Sequence, residues 1–552
     1  MKRITTTRAV LAVVALSALA SGPLFAQTTS PDSADPTAKA IEVFHGDAAR
    51  TGYDPVTIAL PLSTVWRVSG VARAADPASM VAEDDTVYYG SGTNLVAVHL
   101  TDGQQRWSTA LPSDGKILST PAISGSFLYV GTTTGSFYKI SRVDGSIVWT
   151  FKAGTGVLSS PVVSQDMVYF GSQDTNCYAL NADTGKVVWQ FASNAPVNSP
   201  PSVGSGLVVF ASSDYNLYAF SQATGRQSWS IQLPDDPSIG PPVISGSSVC
   251  IGAGQWIYSF TVHGGALRWK TRFDGNLVSS PVVGPNEIFA ATDDNKVYGL
   301  SDRGQIRWTA TVGAPAGSGI LLTQNAIIVG TKNGALYAFD SNTGALNWDY
   351  AVQPDATVNV TKVKVTGQPI YVNGTLLALT DDGALTAFRH DGSDAAAPRI
   401  SAQLPKPGDV IKSTGLTFSA NVIDDGSGID PSTVQFLLDG KSLPGAQYDA
   451  DQNGVVADVK QAKALDLING THLLKVSAKD WRGNSLNTSW AVTVDRTLDP
   501  KGTEDDSDAG GQDETPATPG APTPPPTPQP NNAGGGHTPN PPAGTPPPPP
   551  VF

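Results

Sequence analysis

Residues 168–189 read VYFGSQDTNCYALNADTGKVVW, and the same pattern returns at 327–348 as IIVGTKNGALYAFDSNTGALNW. Each copy contains three short strand-like runs with turn residues between them, which predicts three β-strands. The tryptophan that ends each copy belongs to a series with intervals of 41, 42, 40, 40, 40, 39 and 40 residues: Trp66, Trp107, Trp149, Trp189, Trp229, Trp269, Trp308 and Trp348. A period of about 40 residues indicates an array of one small structural unit.

Two turn signatures divide each repeat into strands. The first is Asp-Gly or Thr-Gly ahead of the tryptophan, as at Thr184-Gly185, where glycine permits the positive φ of a tight hairpin. The second is a small-small-proline signature, after which a further apolar strand begins: Ser119-Thr120-Pro121, Ser159-Ser160-Pro161, Ser199-Pro200-Pro201 and Ser279-Ser280-Pro281. Four antiparallel strands in about 40 residues predict a propeller blade. The second signature should then line the central channel, where tight packing of the converging sheets explains its small residues; a ligand site at the channel mouth stays an alternative.

The two ends of the repeat region complement each other. The last copy ends at Gly392 without a fourth strand, whereas TVWRVSG at 64–70 is a fourth strand with no repeat before it. We therefore predict an all-β fold in which residues 64–392 form an eight-bladed β-propeller. The N-terminal strand should complete the last blade and so remove free sheet edges. Residues 27–63 are expected to form a lead-in segment.

A small residue lies between two large ones on the third strand of most repeats. These positions are Ala97, Ala179, Ala219, Ser259, Gly299, Ala338 and Ala387. A small side chain leaves space for a bulky neighbour. We predict that each tryptophan covers such a residue in an adjoining blade, burying on the order of 200 Å² of surface.

The composite sequence G-S-x-D-x-N-x-Y-A-L-N-A-D-T-G-K-V-V-W resembles the pyrroloquinoline-quinone-type repeat, with Thr184, Gly185 and Trp189 at its tryptophan-docking positions. The resemblance covers about residues 64–392 and implies a propeller. A Trp-Asp repeat is a poorer match, because Trp348-Asp349 is the only such pair among the repeat tryptophans. The resembling family includes quinone-dependent dehydrogenases, the propeller lipoprotein of outer-membrane barrel assembly, and exported propellers without enzymatic activity. The fold does not choose among them.

The resemblance implies a cofactor only for the dehydrogenases, which carry adjacent bridged cysteines above the quinone and an acidic and amide set that holds calcium. Here Cys177 and Cys250 are 73 residues apart, and the even repeats leave no room for the long loops of such a pocket. We expect two buried thiols, no cofactor and no metal. FHGDAARTGYDP at 44–55 looks like the first segment of related exported propellers. In this chain, Arg50 and Asp47 of that segment are expected to form an ion pair at the end of the ring.

No catalytic set is recognisable in the sequence. The histidines are scattered, with no H-E-x-x-H pattern, phosphate loop or serine elbow around them. His263 and His390 lie beside hairpin turns and are expected to be surface residues. We therefore predict no catalytic, cofactor-binding or metal-binding residues.

The charge and the N-terminus indicate an exported protein. The formal charge is −13, so nucleic acid and anionic membrane surfaces are poor partners. Residues 1–26 combine a basic start, an apolar run from Ala9 to Ala20 and small residues, which predicts a signal peptide cleaved after Ala26 or, as second choice, at Ala18-Leu19-Ala20. The run is too short to span a bilayer. We expect a mature chain without a transmembrane segment that is periplasmic, surface-bound or secreted.

Two further regions follow the repeats. Residues 393–497 alternate as β-strands do, which predicts a small β-sandwich, and DDGSGIDPSTVQFLLDG at 424–440 resembles bacterial immunoglobulin-like domains, which implies an adhesion or spacer module. Asp449-x-Asp451-x-Asn453-Gly454 matches the start of a calcium loop, but Lys460 replaces the glutamate that such a loop needs, so a polar hairpin turn is expected. Residues 498–552 are rich in proline and glycine and are expected to be disordered.

These features together predict an exported, non-enzymatic binding or scaffold protein. Its propeller would engage an envelope or extracellular protein or glycan, with the sandwich and tail as spacer. Two alternatives remain open: a quinone-dependent dehydrogenase, and an accessory factor in outer-membrane protein assembly.

Overall fold

The computed structural model describes residues 41–69, 79–112, 115–237, 240–354, 362–413, 417–443, 445–457 and 467–498. The predicted signal peptide and all of the proline-rich tail beyond Leu498 lie outside the described residues. Among the described residues, no helix is long and apolar enough to cross a membrane. The regular structure in them is β-strand apart from two short 3₁₀ helices.

The repeats form consecutive four-stranded antiparallel sheets, which we number as blades. The first strand, β1 (Ser63–Val68), precedes them. Blade 1 contains β2 (Val81–Glu83), β3 (Thr86–Ser91), β4 (Asn94–His99) and β5 (Gln105–Ala110). Blade 2 contains β6 (Ala122–Ser124), β7 (Phe127–Gly131), β8 (Ser136–Ser141) and β9 (Ile147–Lys152). Blade 3 contains β10 (Val162–Ser164), β11 (Met167–Gly171), β12 (Asn176–Asn181) and β13 (Val187–Ala192). Blade 4 contains β14 (Ser202–Gly204), β15 (Leu207–Ala211), β16 (Asn216–Ser221) and β17 (Gln227–Gln232).

The second half of the ring repeats this order. Blade 5 contains β18 (Val243–Ser245), β19 (Ser248–Ala253), β20 (Trp256–Thr261) and β21 (Leu267–Arg272). Blade 6 contains β22 (Val282–Val283), β23 (Glu287–Ala291), β24 (Lys296–Ser301) and β25 (Ile306–Thr311). Blade 7 contains β26 (Leu321–Leu322), β27 (Ala326–Gly330), β28 (Ala335–Asp340) and β29 (Leu346–Ala351). Blade 8 contains β30 (Val365–Val372), β31 (Thr375–Thr380) and β32 (Leu385–Arg389), with β1 as its fourth strand.

The ring closes through the N-terminal strand. β1 pairs antiparallel with β32, and Trp66 lies opposite Ala387. The predicted completion of the last blade is therefore confirmed. Because the first and last parts of the repeat region share one sheet, β32 is paired on both sides and the ring depends on both ends of the chain.

The small residues make room for a tryptophan of their own blade. Ala179 lies directly opposite Trp189 within blade 3, and the same pairing recurs around the ring. The prediction that the indole covers a small residue in an adjoining blade is wrong, because side chains directly opposite each other in an antiparallel pair stand only about 5 Å apart. The adjoining blade instead contributes its turn glycine: a Cβ on Gly185 would lie 2.9 Å from the ring of Trp149.

Residues after the propeller form a β-sandwich. One sheet contains β33 (Arg399–Leu404), β35 (Phe418–Ile423), β39 (Gly454–Ala457) and β38 (Gln447–Asp449). The other contains β34 (Val410–Ile411), β41 (Ser485–Val494), β40 (Gly470–Asp480), β36 (Ile429–Leu438) and β37 (Lys441–Ser442). The 3₁₀ helices are Ala450–Gln452 and Arg496–Leu498. Phe418, Phe436 and Trp490 from the two sheets share one core, so the predicted sandwich is confirmed, while its immunoglobulin-like kinship stays a prediction.

Candidate functional site

The segment before β1 reaches every blade. We call residues 41–54 the axial segment. Its main chain forms hydrogen bonds with the innermost strands of six blades, which are blades 1, 2, 4, 5, 6 and 7. In that order, the bonds join Ile41 to Ala82, Glu42 to Ile123, Ala48 to Val203, Ala49 to Ile244, Thr51 to Val283 and Gly52 to Leu322. The amide of His45 donates to Gln368 of blade 8 at 3.0 Å, and Arg50 reaches blade 3. The axial segment therefore ties together all eight sheets at the centre of the ring.

Arg50 is fully buried at the centre of this segment. Its guanidinium donates to four main-chain carbonyls, those of Phe44, Ser160, Pro161 and Pro201, at 2.6 to 3.1 Å. Burial lowers the pKa of Arg50 to about 9. The predicted ion pair with Asp47 is not formed, since that carboxylate accepts from Thr51 at 3.0 and 2.5 Å. The carbonyls that converge on the axis need donors, and Arg50 supplies them.

The small-small-proline signatures bond neighbouring blades together from blade 3 to blade 6. Ser159 Oγ donates to the carbonyl of Ser199 at 3.1 Å, and Ser199 Oγ donates to that of Gly240 at 2.8 Å. Ser280 Oγ donates to the carbonyl of Pro241 at 2.8 Å. Each of the four signatures also contributes to the lining of a central cavity, through Thr120, Ser160, Pro200 and Ser280, so the predicted position of the signatures around the channel is confirmed. Their hydroxyls serve the packing of converging blades, as the sequence indicated.

The central cavity has a volume of about 280 Å³. Glycine, proline and hydroxyl side chains form most of its lining, and His45 and Asn198 add two polar atoms that are buried and unpartnered, Nε2 and Oδ1. Burial, together with the nearby Arg50 charge, lowers the pKa of His45 to about 3, so its imidazole is neutral at physiological pH. Nδ1 lies 3.3 Å from the carbonyl of Arg50 and donates to it, which leaves Nε2 as an acceptor.

This donor set does not fit a calcium-held quinone. None of the described residues that line the cavity is a carboxylate or a cysteine, whereas calcium needs several carboxylate or carbonyl oxygens at short range.

Cys177 and Cys250 are both buried free thiols, as predicted. Burial raises the pKa of Cys250 to about 11, which keeps it protonated and unreactive. His263 and His390 are exposed, as predicted.

Most of the repeat tryptophans dock onto the following blade. The indole nitrogen donates to a main-chain carbonyl in the next turn at 2.9 to 3.1 Å, and these bonds join Trp66 to Leu100, Trp107 to Arg142, Trp149 to Ala182, Trp229 to Val262, Trp269 to Asp302 and Trp308 to Ser341. Trp348 breaks the rule, because its indole donates to Ser427 of the sandwich at 2.9 Å. The sandwich therefore occupies the place that a blade turn takes elsewhere.

Asp451 of the sandwich replaces an aspartate that blade 7 lacks. In blades 3 and 4, Tyr178 and Tyr218 donate to the aspartate four residues earlier in their own blade, at 2.7 and 2.8 Å. Blade 7 has Asn333 at that position, and its Tyr337 donates to Asp451 at 2.9 Å instead. Thr331 also donates to Asp451. The sandwich thus supplies across the junction the acceptor that blades 3 and 4 carry themselves.

The calcium-like motif at 449–454 is therefore a docking turn. It contains the 3₁₀ helix Ala450–Gln452 and Asn453 at φ 53°, between β38 and β39. Lys460 lies outside the described residues. The expected polar turn is observed, and its buried carboxylate at Asp451 faces the propeller rather than solvent.

Further polar contacts hold the sandwich on the ring. Trp481 Nε1 donates to Asp349 of β29 at 3.0 Å, and Arg482 Nε donates to Ser63 of β1 at 3.0 Å. Burial raises the pKa of Asp349 to about 7. The propeller and the sandwich form one compact unit, so the module is packed against blades 7 and 8 and is not the free spacer that the sequence suggested.

Three carboxylates meet where the propeller ends and the sandwich begins. The carboxylate oxygens of Asp394, Asp424 and Asp480 lie within 4.8 Å of one another, and they are the described residues that could hold a metal ion. Burial, with the neighbouring Asp394 and Asp480, raises the pKa of Asp424 to about 6. Backbone amides of Gly426 and Gly428 already donate to Asp424. The sequence did not reveal this cluster, since its members come from three distant segments.

The closed ring, its four-stranded blades and its tryptophan docking define a β-propeller of quinone-type repeats. A model of the family described as outer membrane protein assembly factor BamB matches residues 5–119, 114–256 and 235–403. The chain belongs to this family. No curated protein matches the chain closely.

Two solved structures share the fold at low identity, and a third has a lower structural similarity. Quinohemoprotein alcohol dehydrogenase from Comamonas testosteroni has a TM-score of 0.55 and 12% identity, over 68% of this chain and 82% of its own. The computationally designed Ika8 protein has a TM-score of 0.51 and 14% identity, over 59% and 99%. BamB from Moraxella catarrhalis has 18% identity over 60% and 100%, with a TM-score of 0.41. At these identities the likeness concerns the fold alone.

Proposed function

We propose that this protein is an exported, non-enzymatic scaffold whose propeller binds an envelope protein or glycan. The main support is that the polar groups at the centre of the ring form structural hydrogen bonds. The hydroxyls of the small-small-proline signatures and the guanidinium of Arg50 bond one blade to another. A centre built in this way supports a rigid platform, and such platforms bind through the loops and turns at their surface.

The outer strands support a protein partner. Exposed aliphatic side chains recur two residues before the tryptophan in four blades: Val187, Leu267, Ile306 and Leu346, which are 43%, 54%, 46% and 38% exposed. Recurring apolar side chains on an otherwise acidic protein favour contact with protein surfaces over nucleic acid. The net charge of −13 favours a neutral or basic partner.

The family match favours one specific role within this class. Its description as an outer membrane protein assembly factor makes an accessory role in outer-membrane protein assembly the second candidate. Co-purification of the tagged chain with outer-membrane assembly components would support that role, and their absence from a complex that contains another stable partner would contradict it.

Affinity capture from the producing organism's envelope tests the scaffold. We expect a stable, stoichiometric partner that remains bound to the mature chain at moderate salt.

Reconstitution with pyrroloquinoline quinone and calcium, followed by a dye-coupled alcohol oxidation assay, tests the alternative that the protein is a quinone-dependent dehydrogenase. Turnover above the level of the buffer would overturn the non-enzymatic assignment.

A further inference from the structure

A regular row of side chains crosses each blade toward its tryptophan. In blade 3, Tyr169 on the second strand lies opposite Ala179 on the third, which lies opposite Trp189 on the fourth. The tyrosine ring reaches over the small residue to the indole, with the ring centres 5.8 Å apart. The same arrangement joins Tyr88 to Trp107 at 5.9 Å and Phe289 to Trp308 at 5.8 Å. In blade 2, Tyr129 lies 6.0 Å from Trp149, although the residue between them is Lys139. Four blades thus fill this space with an aromatic ring.

Blade 5 has no aromatic side chain in the same space. Its row consists of Cys250, Ser259 and Trp269, so the tyrosine position carries a cysteine. The other three blades have the larger Val209, Ile328 and Leu377 there. A cavity of about 470 Å³ lies at this place between blades 5 and 6, lined by the whole row. We call it the blade 5 slot.

The slot also contains an unused polar atom. Ser259 is 1% exposed, and its Oγ has no hydrogen-bond partner among the described residues. Burying a hydroxyl without a partner is unfavourable, so the chain itself does not fill this part of the slot well. The Trp269 indole forms one wall, and the half-buried Glu287 lines the side that belongs to blade 6.

The molecule itself shows how a phenol would bond in this position. In blade 2, the carbonyl of Ala182 accepts from both Trp149 Nε1 at 3.1 Å and Tyr129 OH at 3.3 Å. The equivalent carbonyl beside the slot belongs to Asp302, and it accepts from Trp269 Nε1 at 3.1 Å. A carbonyl oxygen has two lone pairs, so Asp302 can accept a second bond from a phenolic hydroxyl in the slot.

We propose that the blade 5 slot receives a tyrosine side chain of a partner protein. The incoming ring would pack against Trp269 above Ser259, as Tyr169 packs against Trp189, and its hydroxyl would donate to the carbonyl of Asp302. Buried aromatic anchors of this kind account for much of the affinity in protein interfaces. This inference rests on the proposed scaffold function and names the chemistry of its partner.

Titration of the full mature chain with N-acetyl-L-tyrosinamide, followed by ligand-observed NMR, tests the slot. We expect saturable binding, weaker binding of N-acetyl-L-phenylalaninamide because it lacks the hydroxyl, and none of N-acetyl-L-leucinamide. Binding of p-cresol without binding of the tyrosinamide would assign the slot to a free phenol and overturn the protein anchor. Absence of saturable binding by the tyrosinamide would also overturn the inference.

Two variants make the test specific. Cys250→Tyr fills the slot from inside, so it should weaken tyrosinamide binding at least tenfold and raise the melting temperature. Cys250→Leu introduces the residue of blade 8 and should also weaken binding, which keeps the test valid if the tyrosine variant does not fold. Cys177→Ala, at a buried cysteine away from the slot, is the control and should bind as the unchanged chain does. Unchanged binding in both Cys250 variants would contradict the inference.

Capture of the envelope partner separates this inference from the scaffold function. Loss of the partner in Cys250→Tyr, with retention in Cys177→Ala, would support both. A partner retained by Cys250→Tyr would overturn the tyrosine anchor and leave the scaffold function in place. Failure of the unchanged chain to retain any partner would overturn the scaffold function itself.

Discussion

At the scale of single residues, the contact between an indole and a turn glycine sets the spacing of the blades. Gly225 has φ +64°, and a Cβ there would lie 2.6 Å from the ring of Trp189 in the preceding blade. Gly206, in another turn of the same blade, has φ +75° and open space around it. The two positions share backbone strain but differ in the indole contact.

We therefore expect Gly225→Ala to be more destabilising than Gly206→Ala. Both pay for positive φ, but the added methyl at 225 also pushes against a packed ring, which costs about 1–3 kcal/mol more. Urea unfolding of the two variants measures the difference. Equal free energies of unfolding would show that the indole does not constrain the turn.

Arg50 should be among the most sensitive single positions. Arg50→Met keeps the apolar stem but removes the donors to four buried carbonyls. We expect a loss of at least about 3 kcal/mol in the free energy of unfolding, since each unpaired buried acceptor is costly. Arg226→Met, at an exposed arginine, is the control and should change it by less than about 0.5 kcal/mol. A similar small effect at Arg50 would contradict its role on the axis.

Residue roles could be predicted from the sequence only where the partner lies within the repeat. The spacing of Thr184-Gly185 and Trp189 indicated docking between blades, and the closure by β1 followed from the unequal ends. The pairing of Ala179 with Trp189 could not be separated from a contact across blades, because both satisfy the same period of 40 residues. Arg50 was assigned to a nearby carboxylate, although its partners are carbonyls, three of which lie more than 100 residues away.

At the scale of elements, the turn between β38 and β39 behaves as a missing part of blade 7. The sequence shows that blade 7 has Asn333 where blades 3 and 4 have an aspartate, and that the sandwich contains Asp451. Nothing in either segment indicates that Asp451 takes the place of the missing aspartate. Their relation depends on a contact between residues 114 positions apart, Tyr337 and Asp451. Long-range pairing of this kind has no local signature.

Asn333→Asp should loosen the junction. It places a second carboxylate beside Asp451 at the hydroxyl of Tyr337, and two like charges at short range cost about 2 kcal/mol or more. We expect faster hydrogen exchange at the amides of β39, while Asn342→Asp on an exposed turn of the same blade leaves it unchanged. Adding Asp451→Asn to Asn333→Asp should restore protection, because Tyr337 then has one charged acceptor. Unchanged hydrogen exchange in the single variant would contradict the role of Asp451 as the replacement for the aspartate that blade 7 lacks.

The same junction should make stability depend on pH. Asp349 has its pKa raised from 3.8 to about 7, chiefly by burial, with Asp430 and Asp449 adding to the shift and the bond from Trp481 opposing it. The folded chain therefore binds this proton more tightly than the unfolded chain does. Its contribution is present below pH 4 and is lost as the pH rises toward 7.

We expect the free energy of unfolding to fall between pH 5 and pH 8, with Asp349 contributing about 2.5 kcal/mol to that fall, since each pKa unit corresponds to about 1.4 kcal/mol. Asp349→Asn keeps the acceptor for Trp481 and cannot ionise, so it should flatten the dependence. Urea titrations at the two pH values provide the measurement. A variant that follows the same pH dependence as the unchanged chain would show that Asp349 is not responsible.

At the scale of the whole molecule, the ring is one cooperative unit because both of its ends are needed. A chain that starts after Gly70 loses the axial segment and β1, and with them the fourth strand of blade 8 and a contact to every sheet. We expect it to lose the single unfolding transition, so that circular dichroism and tryptophan fluorescence report different midpoints in urea. Removal of residues 499–552 is the control and should leave the transition intact. Coincident midpoints in the first chain would contradict the closure.

The axial segment also fixes the order in which the protein can be completed. It is synthesised before any blade, yet the amide of His45 bonds to Gln368, which follows 323 residues later. At roughly 5–20 residues per second, the ribosome needs about 15–65 s to cover that distance. The bond to blade 8 can therefore form only after the rest of the propeller has been made, so the first segment synthesised is among the last to complete its contacts.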